Sequence, residues 1–288
     1  MFLKSILAKP SFIAFYKDEN RYKVLHEQYK KNRLIFSVSK EFESKKELRN
    51  YILTVEEDNP QTYVSTFIAS PNQGVVPSCD KNVYKQMEIE TENIKTVCIN
   101  KKYSFYTTIY ELMELKKSYP FLDLLFPALA VLDYKSSLRH NSLYILTTKE
   151  YSYILIYKNH LPVFSDIFEV EDDILDDSQE IEDITDMDIV EDFDESLDND
   201  IENVEEIDES PDDIETLNVE YKIIEHIKHS LKDYYENDGD FIEKIYIFDT
   251  IGIQKNITEM INDEIFIENS LEKIDILKIL NELSRKNV

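Results

Sequence analysis

Residues 142–165 read SLYILTTKEYSYILIYKNHLPVFS, and their pattern of apolar and polar residues is regular. Apolar and polar residues alternate in three runs, at 143–148, 152–157 and 161–168, and short polar turns separate them. Alternation at every second residue is typical of half-buried strands, because successive side chains of a strand point to opposite faces of the sheet. The stretch therefore predicts three antiparallel strands joined by tight turns.

The same order of elements occurs near the start of the chain. Three alternating runs, a helix and a further strand are expected at 11–17, 21–28, 33–39, 45–56 and 63–69. Ser44 and Glu47 have the spacing of a capping box, which predicts where the helix begins. In the second half, a helix over 219–235 and a strand over 242–248 are expected after the three runs. A meander followed by a helix and a returning strand, present twice, predicts a duplicated α/β fold.

Shorter signals predict the elements between and after these runs. Apolar residues at helical intervals indicate helices, and brief alternation bounded by turn residues indicates short strands. The expected elements are short strands near Met87 and Val97, a helix over 105–118, a buried apolar segment over 121–132, a helix over 253–261 and a last helix opened by Ser270.

Residues 169–215 are strongly acidic: 25 of these 47 residues are Asp or Glu, and none is Lys or Arg. The chain has a net charge of −27, whereas the other 241 residues hold 34 acids against 32 bases. Such a run has too little apolar surface and too much self-repulsion to form a packed core. It falls between the third strand and the first helix of the second copy, where the first copy needs only residues 40–44. We therefore predict an insertion at a surface turn of a nearly neutral fold.

Two patterns within the acidic run suggest binding, and each has a simpler explanation. Apolar residues recur every three or four positions, at Phe193, Leu197, Ile201, Val204 and Ile207. They would form one stripe of an acidic amphipathic helix suited to a basic groove on a partner, or they belong to a solvated loop. Acids also fit positions of a calcium-loop template, at Asp198, Asp200, Glu202 and Glu209. A high density of acids makes such a match common, so we expect no specific calcium site.

The chain has only three glycines, Gly74, Gly239 and Gly252. Loops that hold a phosphate need several glycines close together, because backbone N–H groups must approach the anion. A Walker loop or a GxGxxG motif is therefore excluded.

Composition also bears on the compartment. No stretch approaches the roughly 20 apolar residues of a membrane-spanning helix, and residues 1–10 are too short and too interrupted for a signal peptide. We therefore expect a cytoplasmic protein without direct membrane insertion. Cys79 and Cys98 lack the spacing of metal ligands, and we expect them to be reduced and to pack inside the fold.

The residues that could form a metal site or a nuclease site also have simpler explanations. His226, His229 and Asp233 could share one face of a helix, but isoleucines take its inward face, so we expect solvent-facing histidines and no metal. Asp249 ends a strand and is better explained as a helix cap than as a nuclease carboxylate. The net charge of −27 also opposes nucleic acid as a partner.

Residues 142–165 resemble the start of the second half of PilM-type proteins and of the cytoplasmic part of GspL-type proteins. These families are actin-like components of type IV pilus and type II secretion platforms at the inner membrane. The apolar segment at 121–132, and the elements at 227–235 and 242–248, follow the same order as in the family. The resemblance implies a duplicated ribonuclease H-like (actin-like ATPase) fold. Its expected halves are 1–140, with a small inserted subdomain around 71–104, and 141–288, interrupted by the acidic insertion 169–215.

The resemblance also locates a nucleotide site, and this chain departs from it. In nucleotide-binding members two hairpin turns carry Asp-x-Gly phosphate loops, and a paired glycine after a late strand receives the adenosine. The matching stretches here are Tyr16-Lys17-Asp18-Glu19, Thr147-Thr148-Lys149-Glu150 and Phe248-Asp249-Thr250-Ile251-Gly252. Bulky or acidic side chains stand where phosphate oxygens would lie. We therefore predict a degenerate site, no nucleotide cofactor and no enzyme activity.

The resemblance implies a scaffold peripheral to the inner membrane, in a pilus-like, secretion, transformation or flagellar-motor assembly. Its expected partner is the cytoplasmic segment of a single-span membrane protein, with an assembly ATPase as a further contact and a homo-oligomer or ring left open. Candidate partner-binding residues are Tyr63, Phe67, Gln73 and Val75, together with Phe193, Leu197 and Ile201 of the insertion. The alternatives are an ATP-binding actin-like enzyme and an acidic adaptor that acts through 169–215.

Overall fold

The computed structural model describes residues 9–18, 20–136, 140–170, 211–237 and 239–288, with the backbone alone at 211–218. The first half contains β1 (Ser11–Asp18), β2 (Arg21–Lys30), β3 (Arg33–Phe42), α1 (Lys45–Asp58), β4 (Thr62–Ile68), β5 (Gln73–Val76), α2 (Lys81–Gln86), β6 (Ile94–Ile99), β7 (Tyr103–Thr108), α3 (Ile109–Ser118), β8 (Leu124–Pro127) and α4 (Ala128–Lys135). The second half contains β9 (Ser142–Thr147), β10 (Tyr151–Lys158), β11 (Leu161–Glu169), α5 (Pro211–Glu236), β12 (Lys244–Asp249), α6 (Ile257–Ile265), β13 (Glu268–Lys273) and α7 (Ile276–Asn287).

Each half contains a five-stranded sheet with the same order of strands. The first sheet runs β3-β2-β1-β4-β8, and the second runs β11-β10-β9-β12-β13. In both sheets the first three strands are antiparallel, and the central strand pairs in parallel with the strand that follows the helix. This repeated order confirms the predicted duplication of an α/β unit.

The duplication extends to the outer hairpin of each sheet. Lys31 and Asn32 have positive φ angles of 49° and 62°, and Asn159 and His160 have 50° and 65°. Positive φ at both central residues defines the type I′ turn, whose twist matches that of the flanking strands. Each hairpin also carries a one-residue bulge at the same distance from its turn. The two halves therefore share the turn type and the bulge position of this hairpin, although their sequences differ there.

The main core lies between the two sheets and is filled by α4 and α7. Leu129 and Leu132 of α4 pack with Leu280 of α7 and with Tyr144 of the second sheet. Although α7 ends the chain, Asn281 donates a hydrogen bond to the Leu25 carbonyl of the first sheet at 3.3 Å. Separate apolar clusters join the outer faces of the sheets to α1 and to α5 with α6. Among the helices of the described ranges, none is long and apolar enough to cross a membrane.

A third sheet, ordered β5-β7-β6, lies within the first half and contains the cysteines. The prediction of two reduced cysteines is wrong, because Cys79 and Cys98 form a disulfide with their Cα atoms 5.6 Å apart. Cys79 lies between β5 and α2, and Cys98 lies on β6 beside β7. The pairing of β7 with both β5 and β6 brings the two residues together, so their spacing along the chain gives no sign of the bond.

Two middle elements differ from the sequence predictions. The expected helix over 105–118 begins at Ile109, because residues 103–108 form β7 and Thr108 caps the helix through Glu111 N–H at 3.4 Å. The apolar segment 121–132 is split into β8, which extends the first sheet beside β4, and the buried helix α4. An apolar run of this length fits a strand or a helix equally well, so periodicity alone cannot divide it.

Two other predictions place an element wrongly. Ser270 lies in β13 beside β12, and the last helix is capped by Asp275, which accepts hydrogen bonds from Leu277 N–H and Lys278 N–H. Met87 follows helix α2 and is not in a strand, whereas Val97 lies in β6 as expected.

Candidate functional site

A cleft of about 460 Å³ lies between the two halves, where the carboxyl ends of β1, β4, β9 and β12 meet. Ligands of open α/β sheets bind at such edges, because the strands end there and their loops are free to vary. The cleft is lined by Tyr16, Lys17, Asp18, Lys23, Phe67, Ala69, Thr148, Lys149, Glu150, Thr250, Ile251 and Ile276. All three stretches that the sequence matches to a nucleotide site are therefore brought together here.

Asp18 connects the two sides of the cleft through ion pairs. Its carboxylate lies 2.5 Å from Lys23 Nζ within the first sheet and 3.2 Å from Lys149 Nζ of the second sheet. Burial alone would raise the pKa of Asp18, but hydrogen bonds from Lys23 and Lys149 outweigh it and hold the pKa below its usual value. The same contact with Asp18 raises the pKa of Lys23. The carboxylate therefore occupies the space between the two hairpin turns in its charged form.

Backbone N–H groups around the cleft donate to the protein itself. Thr148 N–H donates to the Tyr151 carbonyl at 2.9 Å, which closes the β9–β10 turn. Thr250 N–H donates to the Thr147 carbonyl at 3.3 Å. Ile251 N–H and Gly252 N–H both donate to Asp249 Oδ1 at 2.8 Å. Phosphate sites depend on such N–H groups pointing at the anion, and these four have acceptors within the fold.

Asp249 caps this turn and not a helix. The sequence suggests a cap for the following helix, but α6 begins at Ile257 after Asn256. The carboxylate of Asp249 is buried and binds the turn at 251–252, where Gly252 has a φ of 97°. Asp249 therefore fixes the loop after β12.

A groove of about 400 Å³ lies beside the cleft, between the end of β4 and helix α3. Glu111 of α3 ties the helix to the β4–β5 loop, since it accepts hydrogen bonds from Ser70 Oγ and, at 2.8 Å, from Asn72 Nδ2. Tyr110 lines the groove with 73% of its surface exposed, and Met113 on the same helix is 65% exposed. Surface helices normally bury their large apolar side chains. This helix instead presents them to solvent next to a concave surface.

The candidate partner-binding residues of the first half lie in different places. Phe67 lines both the cleft and the groove. Tyr63 is half-buried and stacks on Phe12 with the ring centroids 5.6 Å apart. Gln73 and Val75 are buried in β5. Only Phe67 of these four therefore faces the groove, while the other candidates, Phe193, Leu197 and Ile201, lie outside the described residues.

Gln73 has a clear structural role in its buried position. Its side-chain amide donates to the Ile68 carbonyl at 3.0 Å and to the Ser70 carbonyl at 2.9 Å, and its oxygen accepts from Leu129 N–H at 3.1 Å. It thereby joins the end of β4 to the start of α4. Tyr110 and Glu111 belong to the segment that the sequence predicts as a helix, but helical periodicity gives no sign that either residue borders a groove.

A polar cluster in the second half corrects the prediction for His226. That side chain is 5% exposed, and its Nε2 lies 3.1 Å from Asp166 Oδ2, whereas His229 is exposed and pairs with Asp233. Burial would raise the pKa of Asp166, but hydrogen bonds from His226 and Ser230 lower it to about 2. His226 thus anchors α5 to β11. No group of three or more potential metal ligands occurs within the described ranges, and the calcium-template acids at 198–209 lie outside them.

Residues 143–288, half of the chain, match a family described as a domain of unknown function, DUF8341. The chain belongs to the DUF8341 family. Residues 9–133 of this DUF8341 protein match a second family, described as a domain of unknown function, DUF8569. No curated protein sequence matches the DUF8341 chain.

Solved structures similar to the DUF8341 chain include a Bacteroides thetaiotaomicron protein described as having an actin-like ATPase fold and unknown function. It is 12% identical, with a TM-score of 0.51 over 96% of this chain and 98% of that chain. A PilM–PilN type IV pilus biogenesis complex is 8% identical, with a TM-score of 0.50 over 94% and 89% of the two chains. The cytoplasmic domain of EpsL, an inner membrane component of the type II secretion system of Vibrio cholerae, is 9% identical with a TM-score of 0.43 over 96% and 95%. At these identities the likeness is one of fold, and the two structures with TM-scores of 0.51 and 0.50 confirm the predicted ribonuclease H-like, actin-like fold.

Proposed function

We propose that this DUF8341 protein is a non-catalytic scaffold at the cytoplasmic face of an inner membrane. It holds a short cytoplasmic segment of a single-span membrane protein in the groove beside α3. The observation that carries the proposal is the groove itself, which is lined by the exposed Tyr110 on a helix that Glu111 fixes in place. The assembly is of the pilus-like, secretion or flagellar-motor kind, and an assembly ATPase is a further candidate partner.

The chemistry of the groove indicates the kind of segment that it would hold. Phe67, Tyr110 and Tyr119 supply aromatic surface, and the carboxylates of Glu114 and Glu150 lie at the rim. Aromatic walls favour an apolar anchor, and rim carboxylates favour Lys or Arg in the segment. A volume of about 400 Å³ accommodates a few side chains. The partner segment is therefore short, apolar at its anchor and basic beside it.

The cleft supports the absence of catalysis in this proposal. Asp18 and Lys149 neutralise each other across the space that separates the hairpin turns. A triphosphate would have to break this ion pair and approach a carboxylate, and the N–H groups of Thr148, Ile251 and Gly252 already have acceptors. The PilM–PilN complex, whose fold this chain shares at a TM-score of 0.50, supplies the class of partner.

Two measurements test the two parts of the proposal. Calorimetric titration of the full chain with ATP and Mg²⁺ should show no binding up to millimolar nucleotide. Binding at micromolar concentration would favour the alternative of an ATP-binding actin-like enzyme.

For the groove, labelled peptides are made from the cytoplasmic segments of single-span proteins encoded beside this gene, and their binding is followed by fluorescence anisotropy. Tyr110→Ala should weaken the binding peptide at least tenfold, because truncating an aromatic anchor removes most of its contact area. Val97→Ser is the matched control, since Val97 is an exposed apolar residue on β6, away from the groove. Equal affinity of Tyr110→Ala and the wild type would contradict docking in the groove.

Deletion of residues 171–210 tests the acidic adaptor alternative, which predicts that the same peptide binding is lost.

A further inference from the structure

The tip of the β2–β3 hairpin combines basic and apolar side chains on the surface. We call this surface the tip patch and define it as Lys30, Lys31, Arg33, Leu34, Ile35 and Phe36, all of which are exposed. Residues 28–40 contain four bases and no acid, in a chain whose net charge is −27. The patch lies at the opposite end of the first sheet from the cleft, because β2 runs from the cleft to the tip. It is therefore separate from the groove and from the ion pair of Asp18.

A bulge lies among the three apolar residues. In the β2–β3 pairing, Phe36 lies opposite Gln28 and Leu34 lies opposite Tyr29, so Ile35 is an extra residue. In a regular strand successive side chains alternate between faces, and a bulge breaks that alternation. Leu34, Ile35 and Phe36 are 50%, 44% and 43% exposed, on a strand that is exposed along most of its length. Three consecutive large apolar side chains on a sheet edge are unfavourable in water unless another surface covers them.

The second copy of the hairpin shows that the geometry does not require this exposure. It has the same bulge, with Ile156 opposite Phe164 and Tyr157 opposite Pro162. There, however, Pro162 is buried, and Phe164 packs against Tyr234 of α5 with the ring centroids 6.1 Å apart. The same element is therefore covered in one half and left open, with three bases, in the other.

Helix α7 adds positive charge beside the patch. The Arg285 guanidinium lies 3.7 Å from the ring centroid of Tyr29, which adjoins Lys30, and Lys286 follows on the exposed end of the helix. The neighbouring acid on β2, Glu27, is buried and accepts hydrogen bonds from Tyr29 Oη and Asn281 Nδ2, both at 3.1 Å. The guanidinium of Arg285 thus adds a positive charge next to the hairpin.

We propose that the tip patch binds the surface of an anionic lipid bilayer. Lys30, Lys31 and Arg33 would meet the lipid phosphates, and the side chains of Leu34, Ile35 and Phe36 would enter the interface between head groups and acyl chains. Basic residues near a bilayer are attracted by its negative surface potential, and apolar side chains at the boundary add to the affinity. At physiological salt, exposed charges further apart than roughly 8 Å are largely screened, so the four bases and the absence of acids at 28–40 matter more for this contact than the net charge of −27. The inference does not rest on the groove or on its partner.

The test is co-sedimentation of the full chain with vesicles of equal phosphatidylglycerol and phosphatidylcholine, compared with vesicles of phosphatidylcholine alone. The wild type should bind the anionic vesicles at least tenfold more tightly, and its binding should weaken as salt is raised. Lys30→Glu, Lys31→Glu and Arg33→Glu together should remove the binding, and Leu34→Ser with Phe36→Ser should weaken it at least threefold. Thermal melts confirm that each variant is folded.

The β6–β7 hairpin supplies the matched control. Lys95→Glu, Lys101→Glu and Lys102→Glu together change the net charge by the same amount on exposed positions of another type I′ hairpin. This control should bind the vesicles as the wild type does, and equal loss in both triple variants would reduce the effect to net charge and overturn the proposal. Absence of wild-type binding to the anionic vesicles would also overturn the proposal. If the charge variant then disrupts a dimer or the capture of an acidic peptide, the patch belongs to that partner and not to a bilayer. Tyr110→Ala should leave vesicle binding unchanged, so failure here and failure of the groove are distinguishable.

Discussion

Lys149 Nζ lies 3.2 Å from Asp18 Oδ1, and this ion pair joins the hairpin turn of the first sheet to that of the second. Lys149 is 45% exposed and the Asp18 side chain 16% exposed, so the pair lies at the mouth of the cleft. Lys23 holds the other carboxylate oxygen. The ion pair therefore links the two sides of the cleft, although its partial exposure to solvent limits its contribution to the stability of the fold.

A double-mutant cycle of Asp18→Ala and Lys149→Ala should give a coupling of about 0.5 kcal/mol or less in urea unfolding, because water screens a pair whose lysine is 45% exposed. The control cycle is Lys158→Ala with Asp240→Ala, a pair at 3.1 Å with side-chain exposures of 35% and 47% that lies away from the cleft. ATP titration of Lys149→Ala should still show no binding, since Asp18 and the occupied N–H groups remain. A coupling above about 2 kcal/mol would mean that the pair is desolvated far more than its exposure indicates.

His26 should make stability depend on pH. It is buried, its Nε2 lies 2.7 Å from Ser11 Oγ and its Nδ1 lies 2.8 Å from Tyr51 Oη. Burial, with a smaller contribution from the charge of Lys40, lowers the pKa of His26 from 6.5 to about 4. Because the unfolded chain takes up this proton first, the contribution of His26 is complete above about pH 6.5 and is lost as the pH falls towards 4.

The loss is on the order of 3 kcal/mol, since each pKa unit corresponds to about 1.4 kcal/mol. Urea unfolding of the wild type and of His26→Gln between pH 7 and pH 4 measures it. The variant should be less stable at pH 7 and should show a flatter dependence on pH. His140→Gln, at an exposed position, is the control and should follow the wild type. Parallel curves for the wild type and His26→Gln would contradict the prediction.

The sequence predicts the fold well where its patterns are strong. The two meanders alternate with period two over long runs, and in each sheet one face packs on α4 and α7 while the other is covered by helices. The register is therefore strongly determined. The prediction fails where an element has no such pattern. Residues 268–273 of β13 are half-exposed at a sheet edge, and the polar sequence there reads as the start of a helix.

The candidate site is predicted only in part, because it depends on contacts between distant residues. Hairpin position identifies Asp18 and Lys149, since the β1–β2 and β9–β10 turns are equivalent in the two copies and both line the cleft. The groove depends on how α3 lies against the β4–β5 loop, and Gln73 becomes buried because it bridges β4 and α4. Single-sequence patterns report which residues share a face, but they do not report which elements meet.

Gly74 is required by the packing of the small sheet. It pairs with Tyr106 across β5 and β7, and a β-carbon at Gly74 would overlap the Tyr106 ring. Gly74→Ala should therefore destabilise the protein by about 1–3 kcal/mol, as overpacking does in other cores. Tyr106→Ala removes the clashing ring, so the double variant should be more stable than the sum of the two single effects predicts. Urea unfolding of all four proteins measures the coupling, and simple additivity would show that the ring moves aside freely.

Gln73 provides the sharpest distinction between a packing role and a partner-binding role. Gln73→Ala removes an amide that donates to the Ile68 and Ser70 carbonyls and an oxygen that accepts from Leu129 N–H. Leaving these buried groups without partners should lower the free energy of unfolding by about 2–3 kcal/mol. The folded variant should still bind the groove peptide within twofold of the wild type, in contrast to Tyr110→Ala. Gln254→Ala, at an exposed position, is the control and should change stability by less than about 0.5 kcal/mol. A tenfold loss of peptide affinity in Gln73→Ala, with unfolding unchanged, would instead make Gln73 a partner contact.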